Sequence, residues 1–240
     1  MMIDITWHFL LASESKVKPW EATTPPSGVD QLQPVRRAKS SNRNRHIPVN
    51  PWSATQRTTL ELESGYEHDL VRKLDRLPEV TALIPQPAEI TWIDNHASRT
   101  HVPDLLSITK DEAVTVWDAR PPEKQDEKFK RQVVVSTQAC KRFGWRYCVF
   151  EGQSTAERLN HMWLNGFRNP PVWIEPNRTI LEQAFNGVKV RTVGELFALD
   201  KGDGEIKSVM WHLLWNGQLR CNLRYRITQM TEIELAGYES

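Results

Sequence analysis

Two acids sit at spacings that imply chemistry. Asp104 follows Val102-Pro103, and Asp118 closes the run Val114-Thr115-Val116-Trp117. The polar turn Thr109-Lys110-Asp111-Glu112 lies between them. A hairpin centred near Asp111 sets Asp104 opposite Asp118, Val102 opposite Arg120 and Leu106 opposite Val116. Side chains alternate along a strand, so Val102, Asp104, Leu106 and Ile108 share a face, as do Val114, Val116, Asp118 and Arg120. Directly opposed residues lie on the same face, so two carboxylates meet on an otherwise apolar surface. Like charges at that range repel unless a cation lies between them. A divalent metal meets that need.

The elements around the pair supply further candidates. Residues 64–76 have helical periodicity, and at about 100° per residue Tyr66, Leu70, Val71, Leu74 and Leu77 fall in one arc. Glu67 lies in the same arc, so its carboxylate points toward the core and needs a partner. Ser64 and Glu67 also have capping-box spacing, as do Ser154 and Glu157, and Thr192 and Glu195, so a cap alone accounts for Glu67. Glu67 upstream on a helix, Asp104 after a proline and Asp118-Ala119-Arg120 at a strand end come close to the PD-(D/E)xK nuclease arrangement. In that chemistry carboxylates hold Mg²⁺ against a scissile phosphate. A cation two residues past the second acid positions the attacking water or stabilises charge on the phosphate.

Strands are expected at 80–84 and 89–93, followed by the hairpin. A helix over 123–143 ended by Gly144, a strand over 145–150 and a helix over 154–166 come next. The sum is an α/β domain with a mixed sheet. Residues 1–58 read as a flexible basic arm. Prolines interrupt it, and no acid occurs from 31 to 60 while Arg36, Arg37, Lys39, Arg43 and Arg45 supply charge for a phosphate backbone. Trp7, Trp20 and Trp52 are large apolar residues for such an arm, and some should dock on a surface. Pro170-Pro171 marks a boundary, giving a domain over 59–170 and another over 171–240. The latter holds short helices at 179–185, 193–199 and 205–215, then a basic extended segment at 224–227. A winged helix-turn-helix and a small helical protein-interaction domain both fit. On the third helix Ile206, Val209, Met210, Leu213 and Leu214 face the core, leaving Lys207, Trp211 and His212 outside.

Other classes are excluded. The chain has no G-x-S-x-G elbow, P-loop or dinucleotide fingerprint. His96 and His101 read as loop or surface residues, and 200–205 as a turn capping the next helix rather than a calcium loop. A formal net charge of +1 over 240 residues confines any basic surface to local patches. Cys140, Cys148 and Cys221 form no C-x-x-C pair, which points to a reducing compartment. Asp4 stands where a signal peptide carries positive charge, and no apolar run reaches membrane-span length, so a soluble cytoplasmic protein is expected.

The chain resembles a family at several short motifs in order. Glu63-Ser64-Gly65-Tyr66-Glu67, Ile84-Pro85-Gln86-Pro87, His101-Val102-Pro103-Asp104 and Asp118-Ala119-Arg120-Pro121 resemble the TnsA-like endonuclease subunit of heteromeric transposases. Gly144-Trp145-Arg146-Tyr147 and Trp163-Leu164-Asn165-Gly166-Phe167-Arg168 fit the same branch. The resemblance spans about residues 55 to 235. It implies a restriction-endonuclease-like mixed sheet flanked by helices, followed by a winged-helix-like C-terminal region that contacts DNA and partners. It implies a Mg²⁺-dependent endonuclease, with Mn²⁺ substituting, that nicks double-stranded DNA at transposon 5′ ends. A TnsB-like transposase would cut the other strand and a TnsC-like ATPase would regulate both. Glu67, Asp104 and Asp118 would be metal ligands, helped by the Ala119 carbonyl, with Arg120 on the phosphate. Arg120 departs from the pattern, which places lysine there. Arginine clamps phosphate but cannot act as a base. Lys124 and Lys128 on the next helix are candidates to reach back. A non-catalytic assembly protein with a degenerate nuclease fold, in which Arg120 pairs with the two acids, and a repair or defence nuclease are the alternatives.

Overall fold

Alternating and continuous apolar runs fill the first two thirds of the chain, and strands form from them. The computed structural model describes residues 4–36, 47–94 and 96–237. It divides into two units, Met1–Leu74 with Glu79–Gly152, and Asp75–Pro78 with Gln153–Ser240. The protein is a mixed α/β chain with several open sheets and, among the described residues, six α-helices. Among the described residues no helix is long and apolar enough to cross a membrane.

Unit 1 contains β1 (Ile5–Phe9), β2 (Lys18–Trp20), β3 (Trp52–Ser53), β4 (Thr58–Thr59), α1 (Gly65–Leu74), β5 (Val80–Pro85), β6 (Glu89–Asp94), β7 (Ala97–His101), β8 (Leu105–Thr109), β9 (Val114–Ala119), α2 (Glu127–Arg142) and β10 (Arg146–Phe150). One sheet runs β10-β9-β8-β5, with β5, β8 and β9 antiparallel and β10 parallel to β9 across the α2 crossover. A second runs β2-β1-β6-β7. The ladder pairs Leu105 with Trp117, Leu106 with Val116 and Ile108 with Val114, the register read from the sequence. Leu105 and Leu106 point to opposite faces and both are buried, so β8 is a central strand covered on both sides. Burying each leucine contributes about 2 kcal/mol.

The N-terminal stretch corrects the expected arm. Ile5, Trp7 and Phe9 alternate inward along β1 and join Ile90, Leu106, Val116, Val135 and Ala139 in one core. Trp7 stacks on Phe9 and Phe143. Period-two burial of large side chains prevailed over the proline-rich composition. Arg36 is paired with Glu63 at 2.7 Å. Arg37, Lys39, Arg43 and Arg45 lie outside the described residues. The expected helix over 123–143 starts later. Pro122–Lys124 forms a single 3₁₀ turn, and Asp126 caps α2 by accepting from the Phe129 N–H at 2.8 Å.

Unit 2 contains α3 (Thr155–Asn165), α4 (Ile174–Gln183), β11 (Val190–Thr192), α5 (Val193–Phe197), α6 (Glu205–Trp215), β12 (Leu219–Arg220) and β13 (Glu232–Leu235). The strands form an antiparallel sheet β11-β13-β12. Leu181, Leu196, Val209, Met210, Leu213, Leu219 and Ile233 are among the buried apolar residues of unit 2. Three expectations shift. The boundary falls at Gly152 rather than at Pro170-Pro171, because Leu164 on α3 is buried within unit 2 and Trp163 packs edge-on against Trp211. The first short helix covers Ile174–Gln183 rather than 179–185. His212 is buried, not outward, and its Nδ1 lies 2.8 Å from the Phe167 carbonyl. Asp200 caps the start of α6 as expected, accepting from the N–H groups of Gly202 and Gly204.

Candidate metal centre

The acid pair stands where the β8–β9 ladder ends. Asp104 N–H donates to the Trp117 carbonyl at 3.0 Å, and Ala119 N–H donates to Asp104 Oδ2 at 2.7 Å. The Asp104 side chain thus takes a bond from the neighbouring strand's backbone one step past the last paired residues. Register places Asp118 opposite, with its carboxylate buried. Asp118 Oδ2 accepts from the Tyr147 hydroxyl on β10 and lies 2.8 Å from His101 Nε2 on β7. Its Oδ1 is buried with no hydrogen-bond partner among the described residues. Two strands from outside the hairpin therefore converge on Asp118.

The electrostatics follow from this crowding. Burial pushes the Asp104 carboxyl well above its ordinary range, and the negative charges of Asp118 and Glu67 push it further. Burial and the Asp118 charge also raise the Tyr147 phenol, which keeps it protonated as a donor. Glu67, 4% exposed, is pushed up to about 7, chiefly by burial. Bonds from the Glu63 N–H and the Ser64 hydroxyl work against that rise.

Glu67 is held as a helix cap. Its Oε2 accepts from Glu63 N–H at 2.9 Å, its Oε1 from the Ser64 hydroxyl at 2.8 Å, and its own N–H donates to Ser64 Oγ at 3.2 Å. The reach-back is to Glu63, one residue before the Ser64 amide expected for the box. Gln86 Nε2 adds a long contact at 3.4 Å. Gln86 is itself buried, has φ of 42°, donates its N–H to the Asp104 carbonyl, and has no partner for Oε1 among the described residues. Non-glycine residues avoid that backbone region, and strain of this kind collects at sites that over-determine it.

Arg120 turns away from the acids. Its Nε donates to the Lys124 carbonyl at 2.7 Å and its guanidinium lies 4.8 Å from the centre of the Phe129 ring. Among the described residues it forms no ion pair with Asp104 or Asp118. Lys124 and Lys128 are exposed at the start of the α2 segment.

The structure thus brings Asp104, Asp118 and the Ala119 backbone together, with Glu67 near enough to act on Asp104 through its charge. Among the described residues no three histidine, cysteine or carboxylate side chains converge as metal ligands. The donor set that fits a hard cation is the two aspartates, of which Asp118 Oδ1 has no protein donor. No family model matches the sequence, and no curated protein matches it either.

Sequence reasoning missed three residues here. His101, read as a surface residue, ends a strand and faces Asp118. Tyr147 pairs in register with Val116, two residues from Asp118, so a parallel β9–β10 ladder would have placed it on the acid face. Gln86 carried no signal beyond its two flanking prolines.

Proposed function

We propose that this chain is a Mg²⁺-dependent DNA endonuclease of the TnsA-like type, working with a TnsB-like transposase and a TnsC-like ATPase at transposon ends. The observation that carries the reading is the facing pair of half-buried Asp104 and buried Asp118, with Asp118 Oδ1 unpartnered among the described residues. The order α1, antiparallel β5-β8-β9, α2, parallel β10 supports a restriction-endonuclease-like core. The succession α4, β11, α5, α6, β12, β13 supports a winged-helix-like second unit.

Asp104 and Asp118 would hold the metal, with Mn²⁺ substituting. When bound, it would supply a Lewis acid for the phosphate oxygen and a more acidic water. The chain's own residues fix the frame. The Ala119 N–H and the Tyr147 hydroxyl each occupy one oxygen of an aspartate, which aims the other oxygen away from those donors. Arg120 contacts phosphate only after leaving the Lys124 carbonyl.

That engagement of Arg120 favours a second reading, a non-catalytic assembly protein with the same fold. Two measurements separate the readings. Calorimetry with Mn²⁺ should give one site that Asp118→Ala abolishes, and the chain with its partners should nick one strand at a transposon end in wild type but not in Asp118→Ala. Absence of Mn²⁺ binding overturns the metal centre. Binding without any nick leaves the assembly role.

A further inference from the structure

The third helix of a helix-turn-helix unit normally enters the major groove, but α6 is built otherwise. Its eleven residues are buried or half-buried, and the Lys207 side chain is 44% exposed. Its one lysine, Lys207, lies 3.8 Å from Asp200 Oδ1 and 5.6 Å from the Phe197 ring centre. A helix of buried and half-buried residues, whose single lysine is already engaged by Asp200 and Phe197, offers little to read base edges. The segment after β12 has the opposite character. From Cys221 to Thr231 it contains no acid. Arg224 and Arg226 are exposed, and neither guanidinium has a hydrogen bond or ion pair among the described residues. Tyr225 between them is 72% exposed. Arg220, at the base of the loop, sits across the ladder from Glu234.

The loop backbone is nevertheless held. Asn160 on α3, itself buried, donates from Nδ2 to the Leu223 carbonyl at 2.9 Å and to the Tyr225 carbonyl at 2.7 Å. Asn222 Oδ1 accepts from Arg224 N–H at 3.1 Å, and Thr231 Oγ1 from Thr228 N–H at 2.9 Å. A fixed backbone with free guanidinium groups lowers the ordering cost of binding. Paired arginine forks match phosphate oxygens.

We infer that the loop over 221–231 docks on the phosphate backbone of duplex DNA through Arg224 and Arg226, and that α6 does not read the groove. The choice of DNA as occupant rests on the function proposed above, while the free cations rest on the loop alone. Contacts of this kind position a protein on the duplex without reading sequence.

The test uses the full chain and a labelled duplex of arbitrary sequence, without metal, from about 50 to 200 mM salt. Arg224→Gln with Arg226→Gln should weaken binding about tenfold at the low end. The logarithmic salt slope should fall by about two, equally for unrelated duplexes. Lys207→Gln should leave affinity within about twofold. An unchanged slope in the double variant overturns the inference, as does a large loss in Lys207→Gln. Displacement by polyglutamate as readily as by unlabelled duplex overturns it in favour of an acidic protein partner. Asp104→Asn with Asp118→Asn separates the two proposals. Lost Mn²⁺ binding with intact duplex binding shows that the loop acts independently of the metal centre. Failure of the loop with intact Mn²⁺ binding leaves the nuclease reading standing.

Discussion

The β8–β9 hairpin and the loop after β12 hold charge in opposite ways. In the hairpin the backbone ladder fixes the side chains, and two acids are held close, Asp118 buried and Asp104 half-buried. Two of their four oxygens take bonds from Ala119, Tyr147 and His101, and Asp118 Oδ1 is buried with no partner among the described residues. In the loop a side chain, Asn160, fixes the backbone, and the charges are left in water. Acids held this close disfavour ionisation of both, and a cation is the natural relief. Exposed charge costs almost nothing to keep and stays available for a polyanion. Substitutions at the hairpin should therefore move stability, and those at the loop should move binding.

The largest test of that contrast is pH. The Glu67 carboxyl titrates at about 7 when folded against an ordinary value of 4.5. A raised carboxyl favours the folded state fully below its unfolded value, and the contribution is lost as pH climbs from 4.5 through 7. With metal chelated, wild type should lose up to about 3 kcal/mol relative to Glu67→Gln between about pH 5 and pH 8. Asp104, raised in the same direction, steepens the wild-type curve. Urea unfolding of both proteins at the two pH values measures this. A gap that stays constant with pH would show that the carboxyl is not destabilised by burial.

Next in size is the donor set on Asp118. Tyr147→Phe removes a hydroxyl from a buried carboxylate that already has one unpartnered oxygen. A loss of about 2 kcal/mol is expected, because a buried charge deprived of a donor bears its full desolvation. Tyr225→Phe on the loop should stay within about 0.5 kcal/mol, as surface changes do. Equal effects in urea unfolding would erase the distinction between the two regions.

What the sequence made legible divides along the same line. The hairpin register was readable because a period of two admits only one face for the apolar set, and the polar turn fixes its centre. Leu106 opposite Val116 followed directly. Tyr147 and His101 were hidden because they reach Asp118 through a parallel crossover and through the edge strand of a second sheet. Local pattern does not carry such contacts. The strand at Ile5–Phe9 had the alternation but was masked by the prolines and arginines that follow it. The unit boundary was misplaced because Pro170-Pro171 marks a turn, whereas α3 is assigned by the packing of Leu164. Glu67 was legible as a cap, and its bond to the Glu63 amide became visible only in three dimensions.

The smallest expected effect is the sharpest, because it separates order from charge. Asn160→Ala removes two donors from loop carbonyls that water can then reach. Stability should fall by only about 1 kcal/mol. The arginines remain, so the salt slope of duplex binding should match wild type, while affinity falls a few-fold through the ordering that the loop must now undergo on binding. A reduced slope would mean that Asn160 places the guanidinium groups as well as the backbone. Unchanged affinity would mean that the clamp serves folding alone. The hairpin offers no counterpart to this experiment, since there the groups that order the chain are the same ones that carry the charge.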